Sequence, residues 1–244
     1  MRNLESPYDK GVPNWDALYS ARGDEVSPNR PVFTGDVYAG IPLPGETGSI
    51  KARTVMVLQH PCAMRTDGVN LAWQLLVAEV TNRKELSESE WSDQYFALMP
   101  LPKLRPELTN QARNQAASFD SLYMLRPVDL GTRIACLSPF GVNLLLQRWV
   151  HYSSRVVVPT PDFQRQTDAS YEECDLIEEW CDESTDPLVA ATQCMQWLRA
   201  DRNGTSYQDM LKDSQTRSTV RKVMRAELKS RRTADPVTPI ELRD

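Results

Sequence analysis

Apolar runs of strand length recur through the first two thirds of the chain. Thr54-Val55-Met56-Val57-Leu58 is a continuous, β-branched run bounded by Arg53 and by His60-Pro61. A run of that length suits a buried central strand. Leu75-Leu76-Val77-Ala78-Glu79-Val80-Thr81 repeats the pattern, and Ser121–Leu125 and Thr132–Leu137 read as two more strands. Asp36-Val37-Tyr38-Ala39-Gly40 opens the series, and Ile41–Ser49, rich in Pro and Gly, reads as the turn that follows it. Ser138-Pro139 supplies an N-cap and a first-turn proline for a helix over 139–153. That helix gathers Val142, Leu145, Leu146, Trp149 and Val150 broadly onto one face.

Three regions follow from these elements. Residues 1–32 carry Pro7, Pro13, Pro28 and Pro31 and read as an irregular arm that packs Trp15 and Tyr19 onto the body. Residues 33–153 hold the strands and the helix, interrupted by a charged insertion over about 82–118 that contains an extended edge at Leu98–Pro102. Residues 168–232 form a helical extension. Its first helix is capped at Asp168-Ala169-Ser170 and runs through Ile177 and Trp180. The second starts at Pro187 and ends near Asn203-Gly204, and a third spans about 205–232. Short strands followed by a helix predict an α+β fold, a small and strongly bent β-barrel with a terminal helix, plus this C-terminal helical extension.

Composition narrows the classes. Among 244 residues, Lys+Arg 28 oppose Asp+Glu 33, a formal net charge of -5, with 41% hydrophobic residues and six Trp. Such a chain can bury a core, so global disorder is excluded. No stretch approaches the roughly 20 apolar residues of a membrane span, and MRNLESPYDKGVPNW is not a signal peptide. A cytoplasmic protein without membrane attachment is expected. Cys62, Cys136, Cys174, Cys181 and Cys194 are odd in number and scattered, and the only histidines are His60 and His151. These spacings predict neither a disulfide framework nor a metal site. Phosphate-loop and dinucleotide-binding glycine motifs are absent too, so no cofactor is expected.

The order of the first strands resembles the MazF/PemK family of toxin endoribonucleases. That family opens with a Gly-Asp/Glu-hydrophobic-Tyr/Trp strand, then a Gly-containing loop, then an arginine leading into a Val-rich strand. Gly35-Asp36-Val37-Tyr38, the loop to Gly48, Arg53 and Thr54–Leu58 stand in that order, with Gln59 as the polar residue at the strand end. Leu76–Thr81 is similar to the next family strand, which ends in a Thr or Ser used in cleavage. The segment Asp120–Asp129, then Ile134 and the helix after Pro139, follow the same succession. The resemblance covers residues 33–153 apart from the insertion. It implies an SH3-like barrel, cleavage of single-stranded RNA without metal, a protein antitoxin as partner, and a homodimer. The sequence departs from the family at Thr54, where a proline is usual, and at His60-Pro61-Cys62.

Cleavage of that kind uses the 2′-hydroxyl of RNA as nucleophile, so the protein must take its proton and steady the phosphoryl oxygens. A guanidinium suits the phosphate, because its fork donates to two oxygens and stays charged. Arg53 is the residue the resemblance assigns to this role, and Thr81 is the hydroxyl it assigns to the scissile phosphate. His60 is the proton-shuttle candidate. Lys51, Gln59 and Arg65 flank these as RNA-binding candidates.

In the extension, the first helix carries Glu172, Glu173, Asp175, Glu178, Glu179, Asp182 and Glu183 with no cation. The third helix carries Arg217, Arg221, Lys222, Arg225, Lys229, Arg231 and Arg232. Arg221 and Arg225 are candidates for tracking a phosphate backbone. The plainer expectation is that the acidic and basic helices neutralise each other. Acidic coverage of an RNA groove is a further reading.

Two other functions fit the sequence. One is a non-catalytic SH3-like module of a phage or defence-system protein, binding a protein or nucleic acid. The other is a Cys62/His60 hydrolase, to which the spacing is a poor fit.

Overall fold

The computed structural model describes residues 4–45, 48–65, 70–108 and 114–234. Glu46 and Thr47, within the turn read at 41–49, lie outside them. The chain divides into two compact units. One holds residues 4–28 and 32–171, the other 29–31 and 172 onward.

The first unit is mixed α+β, built on a curled seven-stranded antiparallel half-barrel. A two-residue hairpin, β1 (Tyr8–Asp9) with β2 (Val12–Pro13), precedes it. The sheet strands are β3 (Tyr19–Arg22), β4 (Val37–Pro44), β5 (Ile50–Val57), β6 (Leu75–Asn82), β7 (Leu98–Leu101), β8 (Gln115–Leu125) and β9 (Thr132–Leu137). Their order is β3-β9-β4-β5-β6-β8-β7. Register breaks at Tyr38/Ile41 and Ala78/Glu79 bend the strands, as bulges do, and curl the sheet.

Several elements differ from their sequence reading. The arm is not wholly irregular, because Tyr19–Arg22 pairs with β9 as an edge strand. Trp15 and Tyr19 are buried, as expected. The strand read at Asp36–Gly40 continues through Pro44. There Ile41 and Leu43 face β5, and the nitrogens of Pro42 and Pro44 point to the side where β9 no longer pairs, so no ladder hydrogen bond is lost. The insertion contains a short helix, α1 (Glu88–Asp93), the edge strand β7 and the start of β8.

The concave face packs Tyr38, Ile41, Leu43, Val55, Val57, Met64, Leu75 and Val77 into one buried cluster. The alternate residues Met56, Ala78 and Val80 point to the other face. The helix α2 (Pro139–Ser154) contacts β7 and β9 and is buried continuously from Gly141 to Arg148. Ser138 caps it, accepting from Gly141 N at 3.1 Å. Arg148 is fully buried without a carboxylate partner among the described residues. It donates to the carbonyls of Leu98 (2.6 Å), Trp91 (2.7 Å) and Tyr95 (2.8 Å), which ties the insertion to α2.

Helix α3 (Thr160–Asp182) begins eight residues before the Asp168 cap read from sequence and continues into the second unit. That unit adds α4 (Pro187–Arg199), the one-turn α5 (Tyr207–Met210) and α6 (Arg217–Ala234). The segment read as a third helix over about 205–232 is therefore broken between Met210 and Arg217. Leu176, Ile177, Trp180, Cys194, Leu198, Leu211, Val220 and Met224 form its buried interior.

Candidate functional site

The ladder between β5 and β6 pairs Thr54 with Val80 and Val55 with Glu79. One step further along the same register sets Arg53 opposite Thr81. Side chains alternate along a strand, so Arg53, Glu79 and Thr81 share the concave face with Val55, Val57 and Val77. Arg53 Nη1 lies 2.8 Å from Glu79 Oε1, a diagonal cross-strand ion pair. The Tyr123 hydroxyl, from the strand on the far side of β6, approaches Glu79 Oε2 at 3.5 Å. The Glu79 side chain is 12% exposed and that of Arg53 is 32% exposed, so the pair sits at the rim of the apolar interior. Arg53 Nε and Thr81 Oγ1 are buried with no hydrogen-bond partner among the described residues. A methyl on Gly45 would lie 3.5 Å from Arg53 Nη2, so the end of β4 closes over the guanidinium. Lys51 is exposed two residues before Arg53, opposite Leu43.

The other candidates lie elsewhere. Gln59 and His60 follow the far end of β5. Strand β5 runs from Arg53 on to Val57, and the chain bends at Gln59 before His60, so Arg53 and His60 belong to opposite ends of that stretch. Gln59 braces its own turn, donating from Nε2 to Ala63 O at 3.1 Å and accepting from Leu76 N at 3.4 Å. His60 is half-buried, and its Nδ1 accepts from Cys62 N at 3.2 Å, capping a single 3-10 turn. Burial pushes its pKa below the usual histidine value. Arg65 bridges to Leu71 beyond that turn.

Arg221 and Arg225 belong to the second unit. Arg221 meets Glu172 at 2.9 Å and Glu179 at 3.0 Å, Arg225 also engages Glu179, and Arg232 pairs with Glu183. The acidic and basic helices thus neutralise each other, which is the plainer of the two expectations. Both arginines are committed to carboxylates.

Two residues of the motif order build the fold. Gly35 has φ +85°, and a Cβ there would meet the Leu137 side chain at 2.8 Å. Asp36 is buried, accepts from Phe33 N at 2.9 Å and pairs with Arg133 at 3.2 Å. Among the described residues no three His, Cys, Asp or Glu side chains converge as a metal site. No helix of the described residues is long and apolar enough to cross a membrane. Cys62 is exposed, and the other four thiols are buried.

Glu79 and Tyr123 went unsingled in the sequence. The signal was present: Glu79 is the one charge inside an apolar strand, an even number of residues from Val77 and Thr81. Together with Arg53 and Thr81 it makes a patch holding a fixed cation, a carboxylate acceptor and two hydroxyls. Such a patch can grip a phosphoryl oxygen, accept a proton and return one. No protein-family model matches the sequence, and comparison with curated proteins finds no significant match.

Proposed function

We propose that the chain is a metal-independent endoribonuclease acting on single-stranded RNA, with Arg53 and Glu79 as its working pair. The observation that carries this reading is the 2.8 Å approach of Arg53 to Glu79 on the same strand face as Thr81. In the proposed reaction Glu79 takes the proton of the 2′-hydroxyl, and the 2′-oxygen bonds to phosphorus. The bond to the 5′-oxygen breaks, and that oxygen leaves with a proton returned from the Glu79 carboxyl through the Tyr123 hydroxyl. Arg53 releases one lobe of Glu79 to the nucleophile and holds a non-bridging oxygen. Thr81 donates to the same phosphate. His60, beyond the other end of β5, has no direct part in this reaction. The order of motifs from Gly35 to Thr81 supports a toxin-like role with a protein antitoxin as partner.

A second reading has its own support. Arg53 is already paired and Thr81 Oγ1 is buried, which suits a barrel that binds RNA or protein without cutting. The test is cleavage of total RNA and of a labelled oligonucleotide in EDTA, with wild type beside Arg53→Ala and Glu79→Gln. A wild type that cuts, and a loss of at least about 100-fold in each variant, fits the loss of a positioned base or of phosphate stabilisation. An inert wild type that retains RNA overturns the nuclease and leaves the binding module.

A further inference from the structure

The first turn of α2 opens onto a cleft of about 400 Å³, lined by Ser138, Phe140 and Asn143 on one side and by Thr160 and Gln164 of α3 on the other. All of these belong to the first unit. A helix leaves its first N–H groups without partners inside the helix. In α2, Pro139 has no N–H, Gly141 N goes to Ser138 Oγ and Val142 N goes to Ser138 O. Phe140 N is therefore the open donor of that turn among the described residues. Asn143 lies three residues on, on the same face, and helical side chains lean back toward the N-terminus, which carries its amide over Phe140. Asn143 is 4% exposed. Its Oδ1 accepts from the Thr167 hydroxyl at 3.1 Å, and its Nδ2 donates to no group among the described residues. A buried amide nitrogen without a partner calls for an explanation, and a ligand in the cleft it faces supplies one. Thr160 spends its N–H and its hydroxyl on the Glu5 carboxylate and acts as a wall, while Gln164 is exposed at the mouth. The Phe140 ring, 38% exposed, adds an apolar surface.

We propose that this cleft binds a small monocarboxylate with a flat apolar body. Phe140 N and Asn143 Nδ2 are two donors for the two carboxylate oxygens, and the α2 dipole adds partial positive charge at the same place. Among the described residues no Lys, Arg, Asp or Glu lines the cleft. A helix end and an amide suffice for one negative charge, whereas a phosphate dianion buried there would need a cation beside it. Glu5, at the Thr160 end, sets the orientation: its charge turns the carboxylate toward Phe140 N and Asn143, and the apolar body lies on the Phe140 ring. The volume falls within the range of about 300–1,000 Å³ usual for small-molecule sites. Arg53, Glu79 and Thr81 do not line this cleft, so the proposal stands or falls independently of any nuclease activity.

Benzoate is the probe, titrated to about 20 mM into the isotope-labelled full chain and followed by NMR. The Phe140 backbone amide and the Asn143 side-chain amide shift together and saturate, with a dissociation constant of about 0.1–5 mM, as suits a ligand of about nine non-hydrogen atoms. Benzamide, neutral and of the same shape, binds at least about 10-fold more weakly, and inorganic phosphate at about 20 mM leaves both signals in place. Gln164→Glu brings a like charge to the mouth and weakens benzoate at least about 3-fold at low salt, and Gln164→Lys tightens it by about as much. Asn143→Asp puts a carboxylate where the donor stood and abolishes saturation; the two variants at the exposed position 164 keep the test decisive if that one misfolds. The absence of saturable shifts with benzoate overturns the proposal. So does benzamide or phosphate that matches benzoate, or an affinity indifferent to the charge at position 164.

Discussion

Replacing Arg148 with Met removes the one cation that, among the described residues of the first unit, is buried without a carboxylate partner. Its guanidinium donates to three carbonyls within 2.8 Å and stacks over Trp91 at 5.2 Å. Burial pushes its pKa down to about 9, still well above neutral, so it enters the fold charged at pH 7. Each charge-assisted bond contributes about 1.5–3 kcal/mol, and the carbonyls of Trp91, Tyr95 and Leu98 lie where α2 shields them from water. Their joint loss costs about 6 kcal/mol. Not having to desolvate an uncompensated charge returns about 2–3 kcal/mol, and methionine fills much of the volume. The net destabilisation is about 3–4 kcal/mol, a large share of the 5–15 kcal/mol typical of a domain. Urea unfolding followed by tryptophan fluorescence gives the difference directly, and amide exchange in residues 88–101 localises it. A loss under 1 kcal/mol, or exchange unchanged in that segment, would refute the claim that Arg148 holds the insertion in place.

Two further outcomes follow from the same reasoning. Gly35→Ala forces a Cβ to 2.8 Å from Leu137 at a φ of +85°, and is expected to cost about 2–3 kcal/mol, seen as a lowered thermal midpoint; a midpoint within 1 °C of wild type contradicts it. His60 is kept neutral by burial, while the unfolded chain protonates it near 6.5, so stability present at pH 7.5 is lost as pH falls through 6.5 toward the lower folded value. The urea midpoint drops between pH 7.5 and 5.5, and His60→Gln reduces that drop, whereas an equal drop in both proteins would assign it elsewhere.

The central strands were legible because their signal is local. Thr54–Val57, Leu75–Thr81 and Thr132–Leu137 are apolar runs that burial on both faces demands, and Ser138-Pro139 announces α2 through the chemistry of its first turn. The longer reach of β4 and β8 was not. Pro42 and Pro44 look like turn residues until β9 is known to stop short of them. Gln115–Ser118 lacks β-branched or aromatic residues, because small side chains suffice between two neighbours. The start of α3 was missed since Thr160 takes its cap from Glu5, far away in sequence. For the site, register alone made Arg53 and Thr81 neighbours. Glu79 needed the curl of the sheet before its carboxylate could be seen to meet the guanidinium.

The pairing of Tyr19–Arg22 with the strand that precedes α2 carries a kinetic consequence. Ser20 and Cys136 are 116 residues apart in sequence, so the outermost rib of the sheet must wait, unpaired, until most of the first unit has left the ribosome. The β4–β5 hairpin, joined by the short connection between Pro44 and Ile50, can zip early, and the amino-terminal ribbon docks last, against a large loop-closure entropy. Nascent chains halted before residue 132 would carry that ribbon as a loose, protease-sensitive tether on an otherwise assembled sheet.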